Sequence, residues 1–206
     1  MYTPAQFALH DPAALFDLIE RYSFGLLVSQ HDGEPLATHL PLLADRTATP
    51  QGHLTGHMAR ANPQWQQADG RQVLAVFSGP HAYISPSWYD AANVVPTWNY
   101  VAVHVYGTFH AIHDEAGMLQ IVRKTVQAYE ATMPAPWSMD AQADFNAKML
   151  KAIVGFRIDI TRIEGKLKLS QNQPRDRQEK VAQALAASTD QNAQEIAALM
   201  TAILKQ

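Results

Sequence analysis

The sequence predicts an α+β fold, in which a small, mainly antiparallel β-barrel has helices packed outside it and a helical segment at its C-terminal end. Strand-like runs separated by short turns follow one another from Phe24 to His57, which is typical of hairpins and argues against a doubly wound parallel sheet. The alternation from Trp98 to His110 indicates a long strand with one buried face.

The first predicted elements are a helix and three strands. Asp11-Pro12 predicts a helix start, because aspartate caps helices and proline suits the first helical position. Asp32-Gly33 favours a tight hairpin, and Thr47–Gly52 predicts a further turn. The strands that these turns separate are predicted over Phe24–Gln30, Pro35–Leu43 and Gly52–His57.

Three more strands are predicted after residue 70. A strand over Arg71–Ser78 precedes the alternating segment, and a last strand runs from Val154 through Ile160 toward Gly165. In the alternating segment the mostly apolar face consists of Asn99, Val101, Val103, Val105, Gly107 and Phe109.

Helices are predicted between and after these strands. Spacing through Leu119, Val122 and Val126 indicates a helix over Asp114–Ala131, and Met139–Leu150 is a second helical segment. Asp190 is expected to cap the last helix. The apolar stripe of that helix consists of Ile196, Leu199, Met200, Ile203 and Leu204.

The sequence suggests one domain with an appendage. No strand pattern occurs after Gln173-Pro174. Residues 1–172 are therefore predicted to form the barrel domain, and residues 173–206 a helical tail that packs on the barrel or on a second copy of the chain.

Composition excludes several classes of protein. The 206 residues are 47% hydrophobic and 17% charged with a net charge of −3, which describes a globular protein without the basic surface of a nucleic-acid binder. The lack of cysteine excludes disulfides, thiolate metal sites and a cysteine nucleophile, and fits a cytoplasmic location. Met1–Glu20 does not resemble a signal peptide, and no apolar run approaches the roughly 20 residues that span a bilayer, so no membrane partner is expected.

The segment Gly56–Trp65 suggests an anion site. It follows a short strand, and Asn62-Pro63 reads as a helix N-cap and first helical position. Arg60 adds a permanent cation just upstream of those unpaired N–H groups. The segment is thus either a phosphate site or an ordinary strand-to-helix turn with a surface arginine.

Nine histidines raise the question of a metal site. His53 and His57 have the spacing of two ligands on one helix turn, but in a strand four residues span about 13 Å, too far for one ion. The nucleophile elbow of hydrolases, the dinucleotide fingerprint and the phosphate-binding Gly-Lys-Ser/Thr loop are all absent from the sequence. We therefore expect no metal.

Two further segments could serve a flat ring with a charged tail. Val95–Tyr100 places two aromatic residues and an amide at the start of the long strand. Glu164–Asn172 carries two lysines and several hydrogen-bonding groups at the end of the last strand. Taken singly, the first segment is typical of an aromatic core anchor and the second of a solvated strand end. A ring needs an apolar wall and a few edge hydrogen bonds, and a phosphate needs cations and N–H groups.

Motifs spread over nearly the whole chain carry a resemblance. They are Thr38-His39-Leu40-Pro41; Gly56-His57 with Ala59-Arg60-Ala61-Asn62-Pro63 and Trp65; Pro96-Thr97-Trp98-Asn99-Tyr100 with His104 and Gly107; and Gly165-Lys166 with Lys168 and Ser170-Gln171-Asn172. Together with the opening Met1-Tyr2 and the Tyr83–Tyr89 segment, they resemble the PaiB-type FMN-binding negative transcriptional regulators.

The resemblance implies an FMN-binding split β-barrel similar to those of pyridoxine-phosphate oxidases. Such proteins are homodimers with one FMN in each of two clefts at the subunit interface. By position, the flavin ring is expected along Thr38, His39, Leu40 and Pro41, and the phosphate at Thr55, Gly56, His57, Arg60 and Asn62. Trp98 and Asn99 are expected near the ring, from the partner subunit in one arrangement, and the remaining implied contacts are Lys166, Lys168 and Gln171.

The function that this resemblance implies is that of an FMN-binding flavoprotein with flavin-dependent redox or regulatory activity. The alternatives are a non-enzymatic transcriptional regulator that uses the barrel for dimerisation or sensing, and a haem-binding split-barrel relative. Direct DNA binding has little support, because four cationic residues in the tail are balanced by four acidic ones: Arg175, Arg177, Lys180 and Lys205 against Asp176, Glu179, Asp190 and Glu195.

Overall fold

A computed structural model describes residues 1–47, 51–139 and 148–205. The chain divides into two compact units. Unit 1 comprises Met1–Leu15, Ser78–Val103 and Glu164–Gln206. Unit 2 comprises Phe16–Phe77 and His104–Ile163.

The strands form one sheet in the order β3-β2-β6-β7-β8-β5-β4, and β1 also pairs with β8. Every strand pair with an observed register is antiparallel. The strands are β1 (Ala8–Leu9), β2 (Phe24–His31), β3 (Glu34–Pro41), β4 (Leu43–Asp45), β5 (His53–Ala59), β6 (Gln72–Ile84), β7 (Thr97–Ile112) and β8 (Ile153–Lys168).

Five α-helices and two short 3₁₀ helices lie wholly within the described residues. The α-helices are α1 (Pro12–Arg21), α2 (Gln64–Ala68), α3 (Glu115–Glu130), α4 (Arg175–Ala186) and α5 (Gln191–Leu204); the 3₁₀ helices are Ala5–Phe7 and Pro86–Trp88. Asp11, Asp114 and Asp190 each accept a backbone N–H at a helix start, as expected of capping residues. None of the helices in the described residues is long and apolar enough to cross a membrane.

The predicted hairpin is present between β2 and β3. His31 pairs with Glu34, and the two residues between them are left-handed, with φ of 49° at Asp32 and 85° at Gly33. Positive φ at both central positions is the geometry of a type I′ turn, which matches the twist of the flanking strands.

Unit 2 contains most of the barrel core. The Phe109 and Phe156 rings stack at a centroid distance of 4.8 Å, where β7 lies beside β8. Between β3 and β4 the chain passes through the fully buried Leu42, so one continuous segment pairs first with β2 and then with β5. This corner places the end of β3 next to β5: a Cβ on Gly56 would lie 3.1 Å from the Pro41 carbonyl oxygen.

Unit 1 has a core of its own beneath α4 and α5. The buried face of α4 includes Val181 and Leu185, and that of α5 includes Ile196 and Met200. The predicted boundary at residue 173 stays a prediction, and in the structure the tail lies in the same compact unit as Met1–Leu15 and Ser78–Val103.

One predicted strand and one helix face differ from expectation in detail. The strand predicted over Arg71–Ser78 extends to Ile84, and its buried positions change from Val73, Ala75 and Phe77 to Pro80, Ala82 and Ile84 across Ser78-Gly79. Helix α3 buries Met118 and Ile121, whereas the predicted face was centred on Leu119 and Val122. The turn predicted over Thr47–Gly52 lies partly outside the described residues. The helix predicted over Met139–Leu150 lies mostly outside them.

Candidate functional site

A side-chain bond in unit 2 joins the two segments on which the sequence analysis concentrated. Asn62 Nδ2 donates to Thr38 Oγ1 at 3.0 Å, which links the start of α2 to β3. Asn62 Oδ1 accepts the Gln64 N–H at 2.9 Å, but α2 begins at Gln64 and its cap position is Pro63, one residue later than the N-cap predicted at Asn62. The Thr38 and Asn62 segments therefore lie together in one place.

Gln64, which sequence reasoning missed, reinforces this junction. Its side chain is fully buried. Its Nε2 lies 3.1 Å from each of three acceptors, the carbonyl oxygens of Leu27 and Leu36 and the hydroxyl of Ser29. Gln64 thereby connects α2 to both β2 and β3. The sequence signal was weak, because a glutamine in a polar helix start is normally exposed.

Arg60 is partly committed to the backbone. Its Nε donates to the Lys151 carbonyl oxygen and its Nη2 to that of Ile153, each at 2.8 Å. These bonds hold the exposed guanidinium against the start of β8. The other N–H groups of the guanidinium take no part in the two bonds and remain for a ligand.

A cavity of about 330 Å³ opens beside Arg60. Two permanent cations, Arg60 and Lys151, face one carboxylate, Glu115, in this cavity. Its lining consists of Arg60, His113, Glu115, Met118, Leu150 and Lys151. The balance of charge favours an anion, and sequence reasoning did not identify Lys151 because it is distant from Arg60 in the chain.

The three predicted phosphate residues on β5 have different surroundings. Gly56 faces inward, and a Cβ there would lie 2.7 Å from Phe156 Cζ, so packing requires glycine at this position. Thr55 and His57 lie on the opposite, half-buried face. Burial lowers the pKa of His57 below its ordinary value, and its Nδ1 is buried without a hydrogen-bond partner in the described part of the chain.

The segment expected along the flavin ring lies on an edge strand. β3 ends the sheet path and pairs along its length with β2. Alternate backbone N–H and C=O groups of such a strand point away from its partner and can bind a ligand. His39 is exposed and stacks on the exposed Phe24 at 6.1 Å, whereas the side chain of Leu40 is buried and only its backbone can contribute. Pro41 is half-buried and has no N–H to offer.

Trp98 and Asn99 point to opposite faces of β7 in unit 1. Trp98 is 53% exposed and can meet a ligand. Asn99 is fully buried, and its Nδ2 donates to Ser170 Oγ at 3.0 Å. Alternation along the strand turns this amide into the core, and the expected approach of Asn99 to a flavin ring stays a prediction.

The remaining predicted residues in unit 1 also bond within the protein. Lys166 is buried, with its Nζ 3.1 Å from the Tyr2 carbonyl oxygen and over the Tyr100 ring at 5.1 Å. Lys168 Nζ donates to the Trp98 carbonyl oxygen at 2.6 Å. Burial, with the nearby Lys166 charge, lowers the pKa of Lys168.

Gln171 stabilises the end of β8. Its Nε2 donates to the Leu167 carbonyl oxygen at 2.5 Å, and its Oε1 accepts the Leu169 N–H at 2.7 Å. Both polar atoms of the amide thus serve the local turn. These bonds give Gln171 a structural role, and its contact with a cofactor stays a prediction.

The residues of unit 2 fit FMN in two respects. The cavity beside Arg60 supplies cationic groups for a phosphate, and the free edge of β3 supplies backbone groups for the rim of a ring. The hydrogen bond from Asn62 to Thr38 connects these two features.

Comparison with known proteins agrees with this geometry. A family model described as "Putative FMN-binding domain" matches residues 1–162. The chain is 36% identical to "Protease synthase and sporulation protein PAI 2" of Bacillus subtilis (strain 168), over 100% of this chain and 99% of that protein.

Solved structures share the fold. The flavocytochrome Anf3 from Azotobacter vinelandii superposes with a TM-score of 0.59 at 16% identity, over 78% of this chain and 69% of that chain. The FAD and heme binding protein from Mycobacterium smegmatis gives a TM-score of 0.55 at 16% identity, over 78% and 73% of the two chains. The fold is the split β-barrel that the sequence predicted.

Proposed function

This chain belongs to the FMN-binding domain family, and from that premise we propose that unit 2 holds FMN with its phosphate beside Arg60 and its ring along β3. The observation that carries the proposal is the hydrogen bond between Asn62 and Thr38, which joins the segment proposed for the phosphate to the segment proposed for the ring.

The phosphate assignment rests on charge and donor geometry. Two backbone carbonyls fix the guanidinium of Arg60, so a phosphate would meet donors that are already oriented. Lys151 adds a second cation at the same cavity. Glu115 opposes the anion, and we expect it to weaken binding without reversing the preference.

The ring assignment rests on the edge of β3. The outward-facing backbone groups of alternate residues in the segment 38–41 would meet the polar rim of the isoalloxazine, and the exposed Phe24–His39 pair offers an aromatic surface beside it. Gln64 connects helix α2 to β2 and β3, so the helix would fix the position of the β3 edge relative to the cavity beside Arg60.

We further propose that the protein is a homodimer and that Trp98 reaches the ring of the other subunit's flavin. Trp98 supports this by its exposure, which is high for so large an aromatic side chain. Lys166, Lys168 and Asn99 would then act indirectly, since their bonds position the start of β7 and the end of β8.

Bound FMN would supply hydride or electron transfer, and this chain's residues would bind it and exclude water. A regulatory role through protein contacts is the second candidate, favoured by the name of the Bacillus relative, which refers to protease synthesis and sporulation. A mobility-shift assay at two salt concentrations separates direct from indirect regulation, because phosphate contacts with DNA weaken steeply with salt.

The test of the FMN site compares FMN with riboflavin, which lacks the phosphate. Arg60→Ala is expected to weaken FMN by about 10- to 100-fold, the value of one or two charge-assisted hydrogen bonds, and to leave riboflavin affinity nearly unchanged. Arg71→Ala, at an exposed arginine of the same unit, is the matched control and should change neither affinity. Equal losses for both ligands would refute the phosphate assignment, and no flavin binding by the folded wild-type protein would refute the function.

A further inference from the structure

Unit 1 contains a second cavity, of about 340 Å³, with a group of aromatic side chains on one side. The Trp98 ring lies 5.9 Å from Tyr83 and 6.0 Å from His81, edge-on to the first and tilted to the second. Trp88 completes the aromatic set. Tyr83 and Trp98 remain 47% and 53% exposed, so their faces are available to a ligand.

The polar side of this cavity is formed by the start of α5. Ser188, Asp190 and Asn192 line it there. Asp190 Oδ1 accepts the Ala193 N–H at 2.8 Å, which caps the helix and leaves the second carboxylate oxygen outside that bond. Neither lysine nor arginine is among the described residues that line the cavity, so its one permanent charge is negative.

We propose that this cavity binds a small organic cation, a quaternary ammonium or a protonated amine on a compact apolar body. Aromatic faces attract such a cation through their quadrupoles, and the attraction grows as the cation loses water. The carboxylate adds a directed charge at one end. The volume is within the range of small-molecule sites.

The same groups disfavour the other ligand classes. An anion such as the FMN phosphate would face Asp190 without a compensating lysine or arginine in the lining. A neutral apolar ligand would contact the aromatic side chains but would make no favourable interaction with the Asp190 carboxylate. The site is therefore distinct in chemistry from the cationic cavity beside Arg60, but it shares Trp98 with the dimer contact proposed above, so the two proposals compete for the exposed face of this side chain.

The experiment titrates the full-length protein with two probes, first without FMN and then at saturating FMN. The probes are choline and its uncharged isostere, in which a tert-butyl group replaces the trimethylammonium group. Ligand-observed NMR measures both affinities, because aromatic ring currents shift the methyl signal. Choline is expected to bind about 3- to 30-fold more tightly than the isostere, the range of cation–π energies.

Two variants locate the site. Asp190→Asn removes the charge and keeps the helix cap, since asparagine and aspartate cap equally well, and should weaken choline about 2- to 5-fold at low salt. Tyr83→Leu removes one aromatic face and should weaken choline more than the isostere. Thermal unfolding of each variant confirms that it folds.

The proposal is overturned by any of three results. Equal binding of choline and the isostere would show an apolar pocket. Unchanged choline affinity in both variants would place binding elsewhere. The third result is that neither probe binds, which is expected if a second copy of the chain covers Trp98 and Tyr83. This surface would then be a subunit interface, and sedimentation would show a different oligomeric state for Tyr83→Leu than for the wild-type protein. Loss of choline binding with FMN binding intact leaves the proposed function standing.

Discussion

Replacement of Gln64 by methionine tests the junction that holds the candidate FMN site together. Methionine keeps the length and most of the volume of the side chain, so the change removes mainly hydrogen bonds. The Gln64 amide nitrogen lies 3.1 Å from the Leu27 and Leu36 carbonyl oxygens and from the Ser29 hydroxyl. Because an amide nitrogen carries two hydrogens, these acceptors share them.

The expected loss of stability is about 2 kcal/mol. Buried acceptors that lose a donor cost about 1–3 kcal/mol each when they find no other partner. Part of this is offset, since Gln64 Oε1 has no hydrogen-bond partner among the described residues and its removal relieves that desolvation. The net effect is therefore smaller than two full penalties.

Urea unfolding with an unchanged slope measures this loss, and Gln67→Met is the matched control on the same helix. Gln67 Oε1 also lacks a hydrogen-bond partner within the described chain, and among the described residues its amide nitrogen donates to no strand. Gln67→Met should therefore change the free energy of unfolding by less than about 0.5 kcal/mol. Equal effects of the two substitutions, or a Gln64→Met variant as stable as wild type, would refute the reasoning.

Two further predictions concern packing and pH. Gly107→Ala should destabilise the protein by about 1–3 kcal/mol, because a Cβ there would lie 2.7 Å from Ile158 Cγ2 and closer still to a carbonyl oxygen of β8. Gly25→Ala is the milder control, because a Cβ at that position would lie 3.1 Å from the Phe77 ring. Thermal unfolding compares the two variants, and a Gly107→Ala variant as stable as Gly25→Ala would contradict the packing argument. Burial lowers the pKa of His57 below 6.5, so the imidazole is protonated more readily in the unfolded chain than in the folded one. The free energy of unfolding therefore decreases as the pH falls below 6.5. In His57→Gln the decrease should be smaller across a series of buffers, and an identical pH dependence would show that other groups cause it.

Much of the fold followed from local patterns. The hairpin at Asp32-Gly33, the helix caps at Asp11 and Asp190 and the buried face of β7 all depend on residues close together in the chain. The same alternation places Asn99 on the apolar face with Val101, in agreement with its burial.

The candidate site was predictable in its segments and not in its contacts. The sequence by itself determined the split-barrel fold, the family and the position of Arg60 and Asn62 between a strand and a helix. Only the tertiary structure decided that Arg60 is held by backbone carbonyls more than 90 residues away, that Asn62 bonds to Thr38, and that Gly56 is required by Phe156. The physical reason is that caps and periodicity arise from short-range backbone geometry, whereas the partner of a polar side chain depends on strand pairing between distant parts of the chain.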